Sequence, residues 1–256
     1  MNKPLILITN DDGINAPGIK ALTDVVRTLG KAVVVAPDKP MSGMSHAVTM
    51  NSPLRLHCIQ KTRDYEEYSC NGTPVDAVKL GEKIVLRRKP DLVVSGINHG
   101  SNSSVNIVYS GTMAAVIESS ILGIPSIGFS LADFSHDADF SQTLPFIKKI
   151  VEEVLRRGIP DGICFNVNFP MVNGEAIRGV KVCRQAKAYW EESFDERKDP
   201  HQRDYFWLSG YFQNLDKGED TDEWALANHF VAITPIKVDF TAHHFISELQ
   251  NWDLNN

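Results

Sequence analysis

Four polar segments along the chain carry side chains that can do chemistry. The first, Asn10-Asp11-Asp12-Gly13, follows a short apolar run and sets two carboxylates side by side. On a continuing strand they would point to opposite faces. Leaving the strand for a glycine turn lets both converge, and two close carboxylates repel unless a cation or a proton lies between them. An Asp-Asp-Gly is also a common surface turn; its place directly after a buried strand favours a site. Ser42-Gly43 lies in a second polar loop, and Ser95-Gly96-Ile97-Asn98-His99-Gly100-Ser101-Asn102 in a third. Asp11, Asp12, Ser42 and Asn98 offer only hard oxygen donors. That set suits Mg²⁺, Mn²⁺ or Ca²⁺ and not zinc, which favours cysteine and histidine. His99 reads as a loop histidine rather than a ligand. The fourth segment, Tyr109-Ser110-Gly111-Thr112, opens a helix. Ser or Thr there is ordinarily a cap, but Gly111 permits close approach to the backbone, and first-turn amides with the positive dipole end make an anion seat. A divalent cation beside a phosphate-sized seat is the layout that phosphoester hydrolysis needs.

Those segments must be placed by regular elements, and the pattern for them is clear. Leu5–Ile8, Ala32–Ala36, Asp91–Ser95, Pro125–Phe129 and Gly162–Asn168 read as strands. Between them, helical spacing runs from Pro17 to Gly30, from Thr73-Pro74 through Val75, Val78, Leu80 and Ile84, over Thr112–Leu122 and over Leu144–Leu155. Strands apolar throughout, alternating with helices, predict a Rossmann-like, doubly wound α/β fold with a mostly parallel sheet. Such sheets bind ligands outside the carboxyl ends of the strands, where strand order reverses. No Gly-x-Gly-x-x-Gly follows the first strand, so a dinucleotide is not indicated.

The last third differs. Two aromatic-rich, β-prone arms (Tyr189 and Trp190; Tyr205, Phe206 and Trp207) flank a charged middle from Glu191 to Asp199. This predicts a hairpin that protrudes and joins copies of the chain, since an isolated hairpin is marginal unless it packs on something. The alternative is that these aromatics fold back on the core. The expected organisation is one α/β domain over 1–256, with a core at about 1–178 and 228–242, an arm at about 179–227 and a helical tail at about 243–256.

Composition narrows the function classes. The chain has 256 residues, 43% hydrophobic and 23% charged, within the globular range. Net charge is −6, from 26 Lys+Arg against 32 Asp+Glu, which argues against a nucleic-acid polymer as partner. Apolar runs reach five residues, far short of the roughly 18 needed to span a bilayer, so no membrane partner is expected. The opening Met-Asn-Lys-Pro lacks the apolar stretch of a signal peptide, and the four cysteines include no Cys-x-x-Cys pair. A cytoplasmic protein with reduced thiols is expected.

At the segments named above the chain closely resembles the SurE family of metal-dependent nucleotidases. The matching pieces are LILITNDDGINAPG (Leu5–Gly18), APDKPMSGMSH (Ala36–His46), GTPVDAVKL (Gly72–Leu80), VVSGINHGSN (Val93–Asn102), YSGTMAA (Tyr109–Ala115), NVNFP (Asn166–Pro170) and ITPIKVDFTA (Ile233–Ala242). The resemblance covers nearly the whole chain in order. It implies that Asp11, Asp12, Ser42 and Asn98 bind one divalent ion per subunit, with Ser110, Gly111 and Thr112, helped by Asn98 and Asn102, holding phosphate. It further implies hydrolysis of nucleoside 5′- and 3′-monophosphates, in some members also of short-chain polyphosphate, and a homodimer or homotetramer built with C-terminal arms. One departure stands out: the family commonly has Gly-Asp-Asp-Val before its Tyr-Ser-Gly-Thr motif, where this chain has Ser104-Val105-Asn106-Ile107. That loop borders the site, so the departure bears on substrate preference.

The expected mechanism is attack on phosphorus by a water that the cation activates, with Asp11 or Asp12 accepting its proton. Two rivals stand beside it. One is covalent attack by an aspartate; the other is a non-catalytic Rossmann-like module that senses nucleotide or phosphate, which accounts for the anion seat but not for the paired carboxylates.

Overall fold

The structure, a computed structural model, describes residues 3–135, 137–171 and 174–254. In chain order its elements are β1 (Leu5–Thr9), α1 (Pro17–Val26), β2 (Lys31–Pro37), β3 (Leu56–Lys61), β4 (Tyr65–Cys70), α2 (Pro74–Leu80), β5 (Leu92–His99), α3 (Gly111–Ile121), β6 (Ser126–Leu131), α4 (Leu144–Arg157), β7 (Ile163–Phe169), β8 (Gly179–Val182), β9 (Ala188–Lys198), β10 (Asp204–Asn214), α5 (Asp222–Ala227), β11 (Phe230–Lys237) and α6 (Ile246–Leu249). A nine-stranded sheet has the order β3-β4-β2-β1-β5-β6-β7-β11-β8. From β4 to β7 every pairing is parallel; β3 and β11 join antiparallel, on β4 and β7.

Both faces of the central strands are apolar because both are covered. On one face Ile6, Ile8, Val34 and Val94 pack with Ile19, Leu22 and Val26 of α1 and with Ile147, Val151 and Val154 of α4. On the other, Leu5, Leu7, Val33, Val35 and Val93 meet Ala77 and Val78 of α2 and Ala115 of α3. This is the doubly wound arrangement that uninterrupted apolar strands require. The chain runs outward from β1 to β2 and β4, then returns to the other side of β1 to lay down β5, β6 and β7. Strand order therefore reverses between β1 and β5, and the loops after these two strands carry Asp11, Asp12 and Asn98.

Helix starts follow the local chemistry. α2 begins with a capping box in which the Thr73 side chain accepts from the Asp76 N–H and the Asp76 carboxylate accepts from the Thr73 N–H, with Pro74 in the first turn. The helical run read through Ile84 changes character: after Leu80 it continues over Gly81–Leu86 as a π-helix.

Three further differences from the sequence reading have physical causes. The third strand does not stop at Ser95. A register shift between Ser95 and Asn98 admits extra residues, and pairing resumes at Asn98 with Ser130 and His99 with Leu131. Asn98 and His99 thus sit on a strand end instead of in a free loop. β3 and β4 form between the second strand and α2, where only a polar loop was read. β3 is an edge strand with mostly exposed side chains, and β4 carries Glu66, whose charge is met by Lys31 and Lys61 at 2.6 and 2.8 Å. Gly179–Val182 adds an edge strand to the main sheet beside β11.

β9 and β10 form a separate two-stranded antiparallel ribbon that pairs from Ala188–Asn214 out to Lys198–Asp204. It places Phe194, Phe206, Trp207 and Leu208 on exposed positions. Among the described residues no helix is long and apolar enough to cross a membrane, and Cys58, Cys70, Cys164 and Cys183 are all free.

Candidate active site

Asp11 lies two residues past the end of β1 at 3% exposure, directly against the first turn of α3. Its Oδ1 accepts the hydroxyl hydrogen of Thr112. A Cβ added to Gly111 would sit 2.7 Å from Asp11 Cβ and 2.9 Å from Asp11 Oδ2. The helix start is a glycine because the carboxylate occupies the space of its side chain. Burial pushes the Asp11 carboxyl up to about 6, the Thr112 hydroxyl opposes that rise, and the neighbouring Asp12 charge adds to it.

Asp12 is half-buried and is held from β5. Its Oδ2 faces the His99 backbone N–H at 3.3 Å and the His99 ring Nδ1 at 3.2 Å. The imidazole is fixed in turn by edge-on contact with Phe140 at 5.1 Å. His99, read from sequence as a bystander, positions a carboxylate. Asn98 donates its amide N–H to the Gly100 carbonyl at 2.8 Å, which leaves the side-chain oxygen as its acceptor.

Ser42 is exposed on the long loop between β2 and β3, and several bonds tie that loop to the site. The Met41 N–H donates to the Asp11 carbonyl at 2.7 Å, the Ser45 hydroxyl to the Val108 carbonyl at 2.7 Å, and the Thr49 N–H reaches Asp76 at 3.2 Å. His46 meets Glu118 of α3 at 2.8 Å, and Lys79 of α2 closes on the other oxygen of the same carboxylate.

Ser110 is the N-cap of α3, its hydroxyl accepting from the Met113 N–H at 3.0 Å. The Thr112 side chain is wholly buried and committed to Asp11. Asn102 is buried as well: its backbone N–H donates to Asn168 Oδ1 and its side-chain amide to Ser130 Oγ, both at 2.8 Å. Asn166 completes the network by donating to the Asn102 carbonyl at 2.8 Å. These partners from β6 and β7 were missed in sequence; the Asn-x-Asn of the NVNFP motif was their only signal.

Asp11, Ser42, Asn98, Asn102 and Ser110 line one open cleft, which is also walled by Tyr109, Phe134 and Trp190. Asp12 adjoins it through His99. The donor chemistry fits a divalent cation. The two carboxylates are adjacent, and among the described residues no Lys or Arg pairs with either. Asp12 meets the His99 ring, a cation when protonated, and Asp11 meets the neutral Thr112 hydroxyl, so a cation between them would be favoured where water is scarce. Among the described residues no group of three or more His, Cys, Asp or Glu is placed to hold a metal ion, so a hard ion here would also need hydroxyl and amide oxygens. At the same strand ends the buried Thr9 and Ser95 hydroxyls and the Asn10 side-chain oxygen have no hydrogen-bond partner among the described residues.

Known proteins share the sequence and the fold. A family model described as "Survival protein SurE" matches residues 6–192. A protein of Flavobacterium psychrophilum named 5′-nucleotidase SurE is 58% identical over 256 residues, covering 100% of both chains. One of Phocaeicola vulgatus with the same name is 47% identical over 253 residues, covering 98% of each. The crystal structure of the SurE protein from Aquifex aeolicus superposes with a TM-score of 0.83 at 38% identity, covering 96% of this chain and 98% of that one.

Proposed function

The chain belongs to the survival protein SurE family, and from that premise we propose that it is a divalent-cation-dependent phosphomonoesterase acting on nucleoside 5′- and 3′-monophosphates, releasing nucleoside and phosphate. The enzyme class is that of its relatives, a 5′-nucleotidase and hence a hydrolase. The observation that carries the reading is the meeting, at the point where strand order reverses, of the Asp11–Asp12 pair, which among the described residues no Lys or Arg neutralises, with the N-terminus of α3.

Asp11, Asp12, Ser42 and Asn98 would hold the cation, Mg²⁺ or Mn²⁺ in the working enzyme. When bound, it neutralises phosphoryl oxygens and makes a water easier to deprotonate. The chain does the rest. Thr112 and His99 each fix one oxygen of a carboxylate, so Asp11 and Asp12 are presented in set orientations and one of them accepts the proton of the attacking water. Because each carboxylate already has an oxygen engaged by the protein, water attack is favoured over a phosphoaspartate. Ser110 and the first-turn amides of α3 seat the phosphoryl anion, with Gly111 and Thr112 contributing main-chain groups. Asn98 stands at the seat's edge, and Asn102 keeps its second amide hydrogen for a phosphoryl oxygen.

The apolar side chains exposed on the β9–β10 ribbon, Phe206 and Leu208 on one face and Trp207 on the other, support association of copies into a homodimer or homotetramer, because a two-stranded ribbon gains little stability alone. The free cysteines fit a cytoplasmic setting. The function is tested by phosphate release from a panel of phosphorylated metabolites, polyphosphate included, with several divalent ions and with chelator. Release from nucleoside monophosphates that chelator abolishes supports it. Binding of nucleotides without release would make the chain a sensor.

A further inference from the structure

The cleft has a wall that phosphate chemistry does not require. Tyr109, Phe134 and Trp190 come from three separate parts of the chain and surround the same opening as Ser110. They are 51%, 77% and 39% exposed. Single exposed aromatics need no explanation, but three around one polar cleft mark a ligand surface.

Two of these rings are held in place. The Trp190 indole N–H donates to Asn106 Oδ1 at 2.8 Å, and its ring meets Phe212 edge-on at 5.6 Å. Trp190 therefore cannot swing freely with the ribbon that carries it. Phe134 lies on the backbone of Gly100: a Cβ there would come within 2.3 Å of Phe134 Cε1. A ring fixed on one side and exposed on the other is a stacking platform with little conformational entropy left to lose on binding. Asn106, having given its oxygen to Trp190, retains its two amide hydrogens as donors.

Charge points the same way. Among the described residues lining the cleft none is Lys or Arg. A polyphosphate chain beyond the first phosphoryl group would find no cationic side chain there, whereas a flat aromatic ring would find faces.

We propose that Trp190, Phe134 and Tyr109 form a nucleobase platform, with Trp190 positioned by Asn106, so that the enzyme selects phosphomonoesters bearing a base over base-free ones. This rests on the phosphomonoesterase reading above. Stacking is sequence-tolerant, because every base has a π-face, so the platform favours nucleotides as a class.

The test compares AMP with ribose 5-phosphate, which shares the sugar ester but lacks the base, on the full chain with Mn²⁺ present. Wild type is expected to favour AMP in kcat/KM by roughly tenfold or more, the size of one base–aromatic stack. Trp190→Ala and Phe134→Ala are each expected to collapse that ratio, mostly through KM for AMP, while Trp190→Phe, which keeps a ring but loses the bond to Asn106, restores only part of it. Equal kcat/KM for the two substrates in wild type overturns the platform and leaves the hydrolase reading standing. So do alanine variants that lose both activities in the same proportion, or that keep the wild-type ratio. Failure of wild type to hydrolyse either ester would overturn the hydrolase reading itself.

Discussion

Thr112 stands 101 residues from Asp11 in sequence, yet its hydroxyl donates directly to the Asp11 carboxylate at the start of α3. A helix N-terminus that would otherwise face solvent is turned onto a carboxylate, and the dipole and the hydroxyl both favour the charged form. The helix start would thereby serve the proposed cation site and the proposed anion seat together.

Removing that hydroxyl should loosen Asp11 without unfolding the chain. Thr112→Val is expected to weaken Mn²⁺ binding by about 10- to 100-fold, as loss of a partner behind a metal ligand usually does, and Thr112→Ser to retain most of it. Isothermal titration of the two variants against wild type decides this; equal affinities in all three would show that the contact is ornamental.

Asp12→Asn keeps the shape of the side chain and removes its charge. Turnover of AMP should fall on the order of 10³-fold or more, the scale of losing a main electrostatic stabiliser, while the thermal midpoint stays at or above that of wild type because a repelling charge has gone. Near-normal rates at saturating Mg²⁺ or Mn²⁺ would mean that Asp12 has no part in the chemistry.

Gly111→Ala tests the close approach of carboxylate and helix. The added methyl would lie 2.7 Å from Asp11 Cβ, well inside van der Waals contact, so either Asp11 or the first turn of α3 must shift. Activity is expected to drop at least about tenfold, since misplacement of a reacting group by an ångström can cost on the order of 10²-fold, with the circular dichroism spectrum unchanged. Retained activity would place Asp11 elsewhere in the working enzyme.

Burial leaves Asp11 with a pKa of about 6 in the cation-free protein against an ordinary 3.8. The unfolded chain then releases this proton at lower pH than the folded one. Ionisation therefore favours unfolding, and stability falls as pH rises from about 4 to 6 and levels off above, by about 3 kcal/mol for this group. Urea unfolding of chelator-treated wild type and Asp11→Asn across that window should show the difference between them growing with pH. Mg²⁺ should reverse it, because the cation compensates the charge. A difference independent of pH contradicts the assignment.

Much of this was legible in the residues. Leu5–Ile8, apolar throughout and followed by Thr9-Asn10-Asp11-Asp12-Gly13, reads as a central parallel strand that ends in paired carboxylates, and Thr73-Pro74 marks the helix start at the residue where it occurs. What escaped notice depends on contacts distant in sequence. β3 and β4 carry charged residues whose fit in a strand comes only from partners such as Lys31 on β2. The run from Gly96 to His99 looks like a loop because Gly96 and the polar Asn98 break the apolar pattern, and only pairing with Ser130 and Leu131 makes it strand. Thr112 was read as a phosphate contact because its type suits both jobs, and nothing local reveals that Asp11 takes its hydroxyl. His99 and Trp190 acquire roles only once Asp12 and Asn106 are beside them.

The central claim is that oxygen atoms of Asp11, Asp12, Ser42 and Asn98 hold a single divalent cation, and Mn²⁺ titration of the metal-stripped protein followed by electron paramagnetic resonance measures it most directly. One bound Mn²⁺ per chain is expected, with affinity reduced by about 100-fold or more in Asp11→Asn and clearly reduced in Asn98→Ala. Binding that is absent in wild type, or that survives unchanged in both variants, would contradict the account.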